Sequence, residues 1–228
     1  MKDVSPERFA WLQLARTEGL GPVTVRRLVQ RSGSAVKAVE AVPVLSARGG
    51  RVKDLAPKAV IEKELDDLHK RNTPFLCPAD KDYPFLLSQI HDAPLILTYR
   101  GRAELLNKPM MAGIVGARNA SINASRLTQK WAAELGAAGA VVVSGLARGI
   151  DTAAHQGSLK TGTVAVVAGG LDNIYPSENQ KLADQIAAEG CIVSEEALSL
   201  APMATHFPKR NRIISGLSHG VVVIEATL

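Results

Sequence analysis

The apolar positions follow different patterns in the two halves of the chain. In residues 5–70 they recur at helical spacing, as in WLQLARTEGLGPVTVRRLVQ and KAVIEKELDDLHKRN. Apolar residues three and four positions apart lie on one face of a helix, so these stretches predict amphipathic helices. Gly19 is suited to cap the first helix and Pro22 to begin the second. Residues 71–108 are rich in proline and predict a connector with short strands, of which LILTYRG is the clearest.

From residue 109 onward, short apolar runs alternate with helical stretches. The runs are MMAGIVGA, AVVVSG, TVAVVAGG, CIVSEE and VVVIEA. Continuous Val and Ile runs between helices are typical of parallel strands covered on both faces. We therefore predict a Rossmann-like, doubly wound α/β domain with a mainly parallel sheet, beside a small all-helical N-terminal domain. The predicted division is residues 1–70, 71–108 and 109–228. Because the sequence stops just after a strand, we expect the sheet to be incomplete at its C-terminal end.

Composition adds a moderate preference for anionic partners. The net charge is +5, and only 4% of the residues are aromatic. Cys77 and Cys191 are far apart with no CxxC pair, which argues against zinc and is typical of a reducing cytosol. No stretch approaches the roughly 20 apolar residues of a membrane span. We expect a cytoplasmic protein with no membrane partner.

Cations cluster where the predicted strands end. In open parallel sheets, ligands bind beyond the carboxyl ends of the strands. Three of the four ends that precede a helix carry glycine, which lets the backbone approach a ligand. Arg118, Arg148 and the cluster at residues 209–212 follow these ends. We expect them to converge on one crevice, where guanidinium groups and free N–H groups favour phosphates.

The segment HFPKRNRIISG at residues 206–216 has two interpretations: a solvated loop before a helix, or a phosphate site. Pro208 is suited to a first helical turn, which would present free N–H groups beside Lys209 and Arg210. Phe207 is one of only four phenylalanines and lies next to these cations. An aromatic ring beside cations is typical of single-strand binding, in which bases stack and phosphates pair.

Most enzyme signatures are absent from the sequence. A dinucleotide site needs GxGxxG and an acid after the second strand. Here the first turn has the single glycine Gly116, and the second strand ends in Ser144. There is no Walker A or HExxH motif, so we predict no cofactor. Asp151 and His155 are one helical turn apart, and both a structural hydrogen bond and a functional pair remain open for them.

Three long motifs follow one another from about residue 113 to residue 226: GIVGARNAS, SGLARGIDTAAHQGSLKTGTVAVVAGGLDNIYPSENQKL and SEEALSLAPMATHFPKRNRIISGLSHGVVVIEA. In this order they resemble the DNA-processing protein A family, also called DprA or Smf. YPFLLSQIHDAPLILTYRG and the N-terminal helices are similar to the family's preceding segment and its SAM-like, helix-hairpin-helix domain. The resemblance implies a bacterial, cytosolic, non-enzymatic protein that binds single-stranded DNA during natural transformation. Such proteins protect incoming strands, help load the recombinase RecA and form homodimers.

The resemblance also implies site residues. Arg118 falls on the arginine of the family's G-S/A-R motif, and residues 207–212 fall on its FPxRNR motif. We expect the cations to hold phosphates and Phe207 to lie near a base. The predicted DNA-binding residues are Arg118, Phe207, Lys209, Arg210, Arg212, Gly116, Ala117, Ser144, Gly145 and Arg148. Many relatives carry a cation after the YP dipeptide, where this chain has Ser177, with Lys181 as the nearest substitute.

Two other function classes are considered. Nucleoside-monophosphate phosphoribohydrolases have a related Rossmann-like core and need PGGxGTxxE, whereas the nearest stretch here, AGGLDNIYP, lacks the GT and the glutamate. An interaction module whose basic pocket binds a small phosphate is the other alternative. Binding to long strands that weakens steeply with salt would favour the DNA-binding prediction over this last one.

Overall fold

The computed structural model describes residues 4–47 and 54–226, which form two compact units. The smaller unit contains the residues up to Tyr83 together with His91–Leu97, and the larger contains Pro84–Ile90 and the residues from Thr98 onward. These units follow contacts in space. The predicted division of the chain at residues 70 and 108 follows the sequence instead and stays a prediction.

The smaller unit is mainly helical, as predicted. Its elements are α1 (Pro6–Arg16), α2 (Pro22–Ser32), α3 (Ala35–Ala47), α4 (Lys58–Lys70) and the short strand β1 (Phe75–Leu76). Arg16 of α1 forms a two-pronged ion pair with Glu64 of α4, with its Nη2 2.8 Å from Oε1. The Glu7 carboxylate accepts from the Ala35 N–H at 2.6 Å and so caps the start of α3.

The first helix ends earlier than predicted. Its last residue is Arg16, and Gly19, with a φ of +81°, lies in the turn beyond. The Thr17 hydroxyl donates to the Gln13 carbonyl at 2.8 Å, and the Thr17 N–H donates to Leu14. Because these groups satisfy the last carbonyls of the helix, the prediction that Gly19 caps α1 is wrong. Pro22 begins α2 as predicted.

The larger unit is built on a mainly parallel sheet. Its strands are β2 (Leu97–Gly101), β3 (Met111–Gly116), β4 (Val141–Ser144), β5 (Thr163–Val166), β6 (Cys191–Ser194) and β7 (Gly220–Ile224). They lie in the order β2-β6-β5-β4-β3-β7. Among these six strands, within the described part of the chain, only β2 and β6 pair antiparallel and the other neighbours are parallel. All residues of β4, β5 and β6 are buried, as expected of strands covered on both faces.

Helices connect the parallel strands and reverse the direction of winding once. They are α6 (Ile122–Ala137), α7 (Ile150–Ser158), α8 (Gln180–Glu189) and α9 (His206–Gly216), whereas the short helix α5 (Phe85–Ser88) precedes β2. The chain passes from β3 through β4 and β5 to β6, and then returns through α9 to β7 on the other side of β3. Right-handed crossovers place α6, α7 and α8 on one face and α9 on the other. The Rossmann-like prediction is therefore confirmed, with a topological switch point between β3 and β7, where a ligand crevice is expected.

Candidate nucleic-acid interface

The end of β3 begins the site with a glycine that the neighbouring chain requires. A Cβ atom on Gly116 would overlap the Ile224 carbonyl of β7 and the Ile150 side chain of α7. The next residue, Ala117, donates its N–H to the same Ile224 carbonyl at 3.3 Å. Arg118 follows and is exposed. The close packing at Gly116 thus brings the start of the Arg118 loop beside the end of β7.

The end of β4 contributes one internal and one lining residue. Ser144 is fully buried, and its hydroxyl donates to the Ile114 carbonyl at 2.6 Å, which links β4 to β3. Ser144 thus lies inside the sheet, and its backbone contact with a ligand stays a prediction. Gly145 follows, and a Cβ atom there would overlap the guanidinium of Arg210.

Arg210 points into the protein rather than into solvent. Its residue is only 6% exposed, and its Nη1 donates to the carbonyl oxygens of Gly145 and, at 2.6 Å, of Val166. These carbonyls lie at the ends of β4 and β5, so one side chain of α9 joins both strand ends. Burial lowers the pKa of Arg210, whereas the nearby Asp151 charge acts in the opposite direction. Arg210 therefore has a structural role at the site, because it links α9 to the ends of β4 and β5.

Asp151 and His155 are engaged separately, which favours the structural interpretation. Asp151 accepts from the Ala147 N–H at 3.3 Å. The Nδ1 atom of His155 lies 2.9 Å from the Thr163 hydroxyl oxygen, which itself donates to the Val142 carbonyl. The Thr163 oxygen must then accept the proton of Nδ1. Burial raises the pKa of Asp151 and lowers the pKa of His155 to about 3.

The depressed pKa of His155 makes stability depend on pH. Below the ordinary histidine pKa of 6.5 the unfolded chain binds a proton that the folded chain takes up only near pH 3, so stability falls as the pH falls through this range. The asparagine variant His155→Asn keeps a donor for Thr163 and lacks the titrating group. We expect wild type to lose about 2 kcal/mol relative to this variant between pH 7 and pH 5. Urea unfolding at both pH values measures this difference, and equal losses in the two proteins would contradict it.

Two connected cavities lie at the carboxyl edge of the sheet. The smaller has a volume of about 170 Å³ and is lined by residues that include Arg118, Arg148, Tyr175 and Phe207. The larger is a groove of about 940 Å³ at the switch point, between the ends of β3 and β7. Both cavities share Arg118, Phe207 and Arg210. Of the ten predicted residues, the cavities bring together Gly116, Ala117, Arg118, Gly145, Arg148, Phe207, Arg210 and Arg212. Lys209 is exposed on α9 and, like Ser144, lines neither cavity.

Aromatic rings and cations are adjacent in the smaller cavity. The guanidinium carbon of Arg118 lies 5.2 Å from the centroid of the Phe207 ring, within cation–π range. Tyr175 meets Phe207 edge to face, with the ring centroids 5.8 Å apart, and remains 53% exposed. Tyr175 is absent from the predicted site. Its signal in the sequence is weak: a scarce aromatic residue in the segment that follows the third predicted strand.

Carboxylates accompany two of the predicted cations. Arg148 forms an ion pair with Glu178, and Arg212 forms one with Glu195, the residue that follows β6. The hydrogen bond from Arg148 lowers the pKa of Glu178, which stays charged at neutral pH. Sequence reasoning missed Glu178, because the cations near strand ends were visible and their partners were not.

Within residues 4–47 and 54–226, no group of three or more His, Cys, Asp or Glu side chains is placed to hold a metal ion. In the same ranges no helix has both the length and the apolar character to cross a membrane.

Comparison with known proteins relates this chain to a family. Residues 74–228 match the family model of DNA recombination-mediator protein A, and residues 5–66 match that of a DprA-like N-terminal HHH domain. The chain belongs to the DNA recombination-mediator protein A family. Protein Smf of Synechocystis sp. is 39% identical over 233 residues, which are 96% of this chain and 58% of that protein. The Bacillus subtilis DNA processing protein DprA is 44% identical over 64% of this chain and 50% of its own length.

Solved structures of family members have the same fold. The X-ray structure of DprA from Streptococcus pneumoniae gives a TM-score of 0.77 at 32% identity, covering 99% of this chain and 80% of that one. A DprA structure from Helicobacter pylori, described for its single-stranded DNA binding mode, gives 0.64 at 33% identity over 68% of this chain and 70% of that one. The chain thus spans about half to three fifths of the length of the curated family members named above.

Proposed function

We propose that this chain binds single-stranded DNA at the carboxyl edge of its parallel sheet. The observation that carries the proposal is the pair of aromatic rings, Phe207 and Tyr175, that line the same cavity as the exposed cations Arg118 and Arg148. Cations pair with phosphates of any sequence, and aromatic rings stack on any base, so this combination suits a single strand. Binding by the related H. pylori protein supports the same role here.

The groove and the smaller cavity suggest different tasks for the residues. The groove at the switch point has a volume of about 940 Å³, which suits a stretch of DNA backbone. Arg118 and Arg212 line the groove, and Lys209 is exposed on α9, the helix that also carries Arg212. The smaller cavity is suited to a single base against Phe207 and Tyr175. Arg210 lines both cavities, and its hydrogen bonds to the Gly145 and Val166 carbonyls fix the strand ends beside them.

The wider role follows from family membership. We propose that the protein acts in the cytoplasm by binding rather than by catalysis, that it protects incoming strands during natural transformation, and that it helps to load RecA. We also propose that it forms a homodimer. Light scattering on the purified protein tests the dimer, and strand exchange with RecA, with and without this protein, tests the loading role.

Hydrolysis of nucleoside monophosphates is not favoured. The comparisons find DNA processing proteins, and the glutamates beside the two cavities, Glu178 and Glu195, are held in ion pairs with arginines. Incubation with nucleoside monophosphates is expected to release no ribose 5-phosphate.

The deciding experiment is fluorescence anisotropy of a labelled oligo-dT, single-stranded and duplexed, across a salt series. Wild type is expected to prefer the single strand and to weaken steeply with salt. Arg118→Ala should weaken binding to all sequences alike and lower the salt slope by roughly 0.7, the value for one lost single-strand phosphate contact. Arg118→Lys should keep the slope, because it keeps the charge.

Arg126→Ala is the matched control, since Arg126 is an exposed arginine of α6 that lines neither cavity. The proposal fails if wild type does not bind the single strand. It also fails if the double variant of Arg118 and Lys209 to alanine binds as tightly as wild type does.

A further inference from the structure

A carboxylate already holds one of the cations of the smaller cavity. The Arg148 Nε donates to Glu178 Oε1, and the two side chains remain 58% and 51% exposed. Arg148 lines the cavity, whereas Glu178 lies beside it in the short 3₁₀ turn Ser177–Asn179. A negative charge at this place opposes the binding of any polyanion, so its presence in a proposed DNA site needs a reason.

The position of Glu178 is fixed by its neighbour. The Asn179 side-chain amide is buried and donates to the Leu146 carbonyl at 2.9 Å and to the Thr152 hydroxyl at 2.9 Å. Leu146 belongs to the loop that carries Arg148. These hydrogen bonds therefore hold the turn that carries Glu178 against the loop that carries Arg148. The two side chains lose less conformational freedom when they pair than they would on independent segments.

The ion pair has little value for folding. Pairs as exposed as this one contribute little to stability, because water screens the attraction and both side chains lose freedom. The pair bears directly on ligand binding, because a guanidinium fork binds carboxylate and phosphate in the same way and this modest free energy opposes a phosphate at Arg148. While Glu178 occupies Arg148, a phosphate can reach that guanidinium only by displacing the carboxylate.

We propose that Glu178 is an internal competitor of the DNA phosphates, which occupies Arg148 in the free protein and thereby sets a lower affinity for the strand. The inference rests on the proposed function of the same site. A bound strand displaces the carboxylate from Arg148, and the carboxylate returns when the strand leaves. Such a competitor limits tight binding at a site from which a strand must be passed on.

The test is the charge-neutral variant Glu178→Gln in the oligo-dT assay. Loss of the competing ion pair, together with loss of a negative charge about 5 Å from the bound phosphates, corresponds to roughly three- to tenfold tighter binding. Because the bound strand reaches Arg148 in both proteins, the number of phosphate contacts is the same and the salt slope should stay unchanged. The matched control is Glu134→Gln, which removes an exposed glutamate paired with Lys130 at 3.9 Å on α6. It should change neither quantity.

A second pair of variants separates competition for Arg148 from a general charge effect. In an Arg148→Gln background, Glu178→Gln should tighten binding at least threefold less than it does when Arg148 is present, with no change in slope. An equal gain in both backgrounds would overturn the inference, as would no gain in either. Circular dichroism of each variant confirms that the fold is kept.

A probe without bases distinguishes failure of this inference from failure of the proposed function. Tripolyphosphate binding, measured by calorimetry, reports on the cations alone. If wild type ignores oligo-dT, the proposed function fails, and tighter tripolyphosphate binding by Glu178→Gln still supports the competitor. If wild type binds oligo-dT and the variant matches it with both probes, only the competitor is lost.

Discussion

Arg210→Ala is expected to lower the free energy of unfolding by roughly 3–5 kcal/mol, the range found when one partner of a buried charged group is removed. The residue is 6% exposed, and its guanidinium serves carbonyls at the ends of β4 and β5. Without it, two buried carbonyl oxygens lose their donor, and the buried Asp151 loses the positive charge that offsets its burial. Because globular proteins are stable by only about 5–15 kcal/mol, this loss is a large share of the total.

Urea unfolding followed by circular dichroism measures the effect. The control is the neighbouring Lys209→Ala, since Lys209 is exposed and its removal should leave the unfolding midpoint unchanged. Arg210→Lys should be intermediate, because an ammonium cannot reproduce the fork of the guanidinium. An unchanged midpoint in Arg210→Ala would show that the inward side chain is dispensable. Loss of DNA binding in that variant must accordingly be compared at a temperature where it remains folded.

The fold of the larger unit was largely predictable, because its signal is physical and local. Strands buried on both faces need continuous apolar runs, and those runs gave β3 to β7 in the right order along the chain. The antiparallel partner of β6 was harder, since LILTYRG predicted a strand and nothing in it specified a neighbour. The prediction that Gly19 caps α1 is wrong because the Thr17 hydroxyl already donates to a carbonyl at the end of that helix. The preference of helix ends for glycine does not take such a hydroxyl into account.

The sequence predicted which residues lie at the carboxyl edge of the sheet, but not which way their side chains point. The strand-end rule brought Arg118, Arg148 and the cluster at residues 209–212 to one edge, and the structure places Arg118, Arg148, Arg210 and Arg212 on the cavities there. The rule could not say that Arg210 points inward, because that depends on which face of α9 packs against the strand ends. The rule also could not say that the Ser144 hydroxyl donates to the Ile114 carbonyl. A serine at a strand end can face a ligand or bond within the sheet, and the sequence does not distinguish the two.

The cations of the site therefore differ in what they can do. Arg118 is exposed and faces both cavities, Arg148 is held by Glu178, and Arg210 is internal. A count of positive charges treats them as equal, whereas the proposals above give Arg118 a phosphate contact, Arg148 a phosphate contact in competition with Glu178, and Arg210 a structural role. This division explains why charge alone was a weak argument for DNA and why the salt slope of single variants is the more informative measurement.

Tyr175→Ala is expected to weaken oligo-dT binding roughly 5- to 150-fold, which corresponds to the 1–3 kcal/mol that stacking one base on an aromatic side chain contributes. The ring is 53% exposed and lines the smaller cavity, and its edge-to-face contact with Phe207 keeps it in place. Tyr175→Phe should bind nearly as wild type does, because it keeps the stacking face. The salt slope should stay the same in both variants, since no phosphate contact is lost.

This constancy of slope separates stacking from charge. Arg118→Ala and Tyr175→Ala are both expected to weaken the complex, yet only the first should change how binding responds to salt. Anisotropy titrations at several salt concentrations, run on both variants beside wild type, test the distinction. If Tyr175→Ala binds as tightly as wild type, no base rests on this ring. If its slope falls as that of Arg118→Ala does, the tyrosine acts by holding the cations through Phe207, and the smaller cavity is a phosphate site.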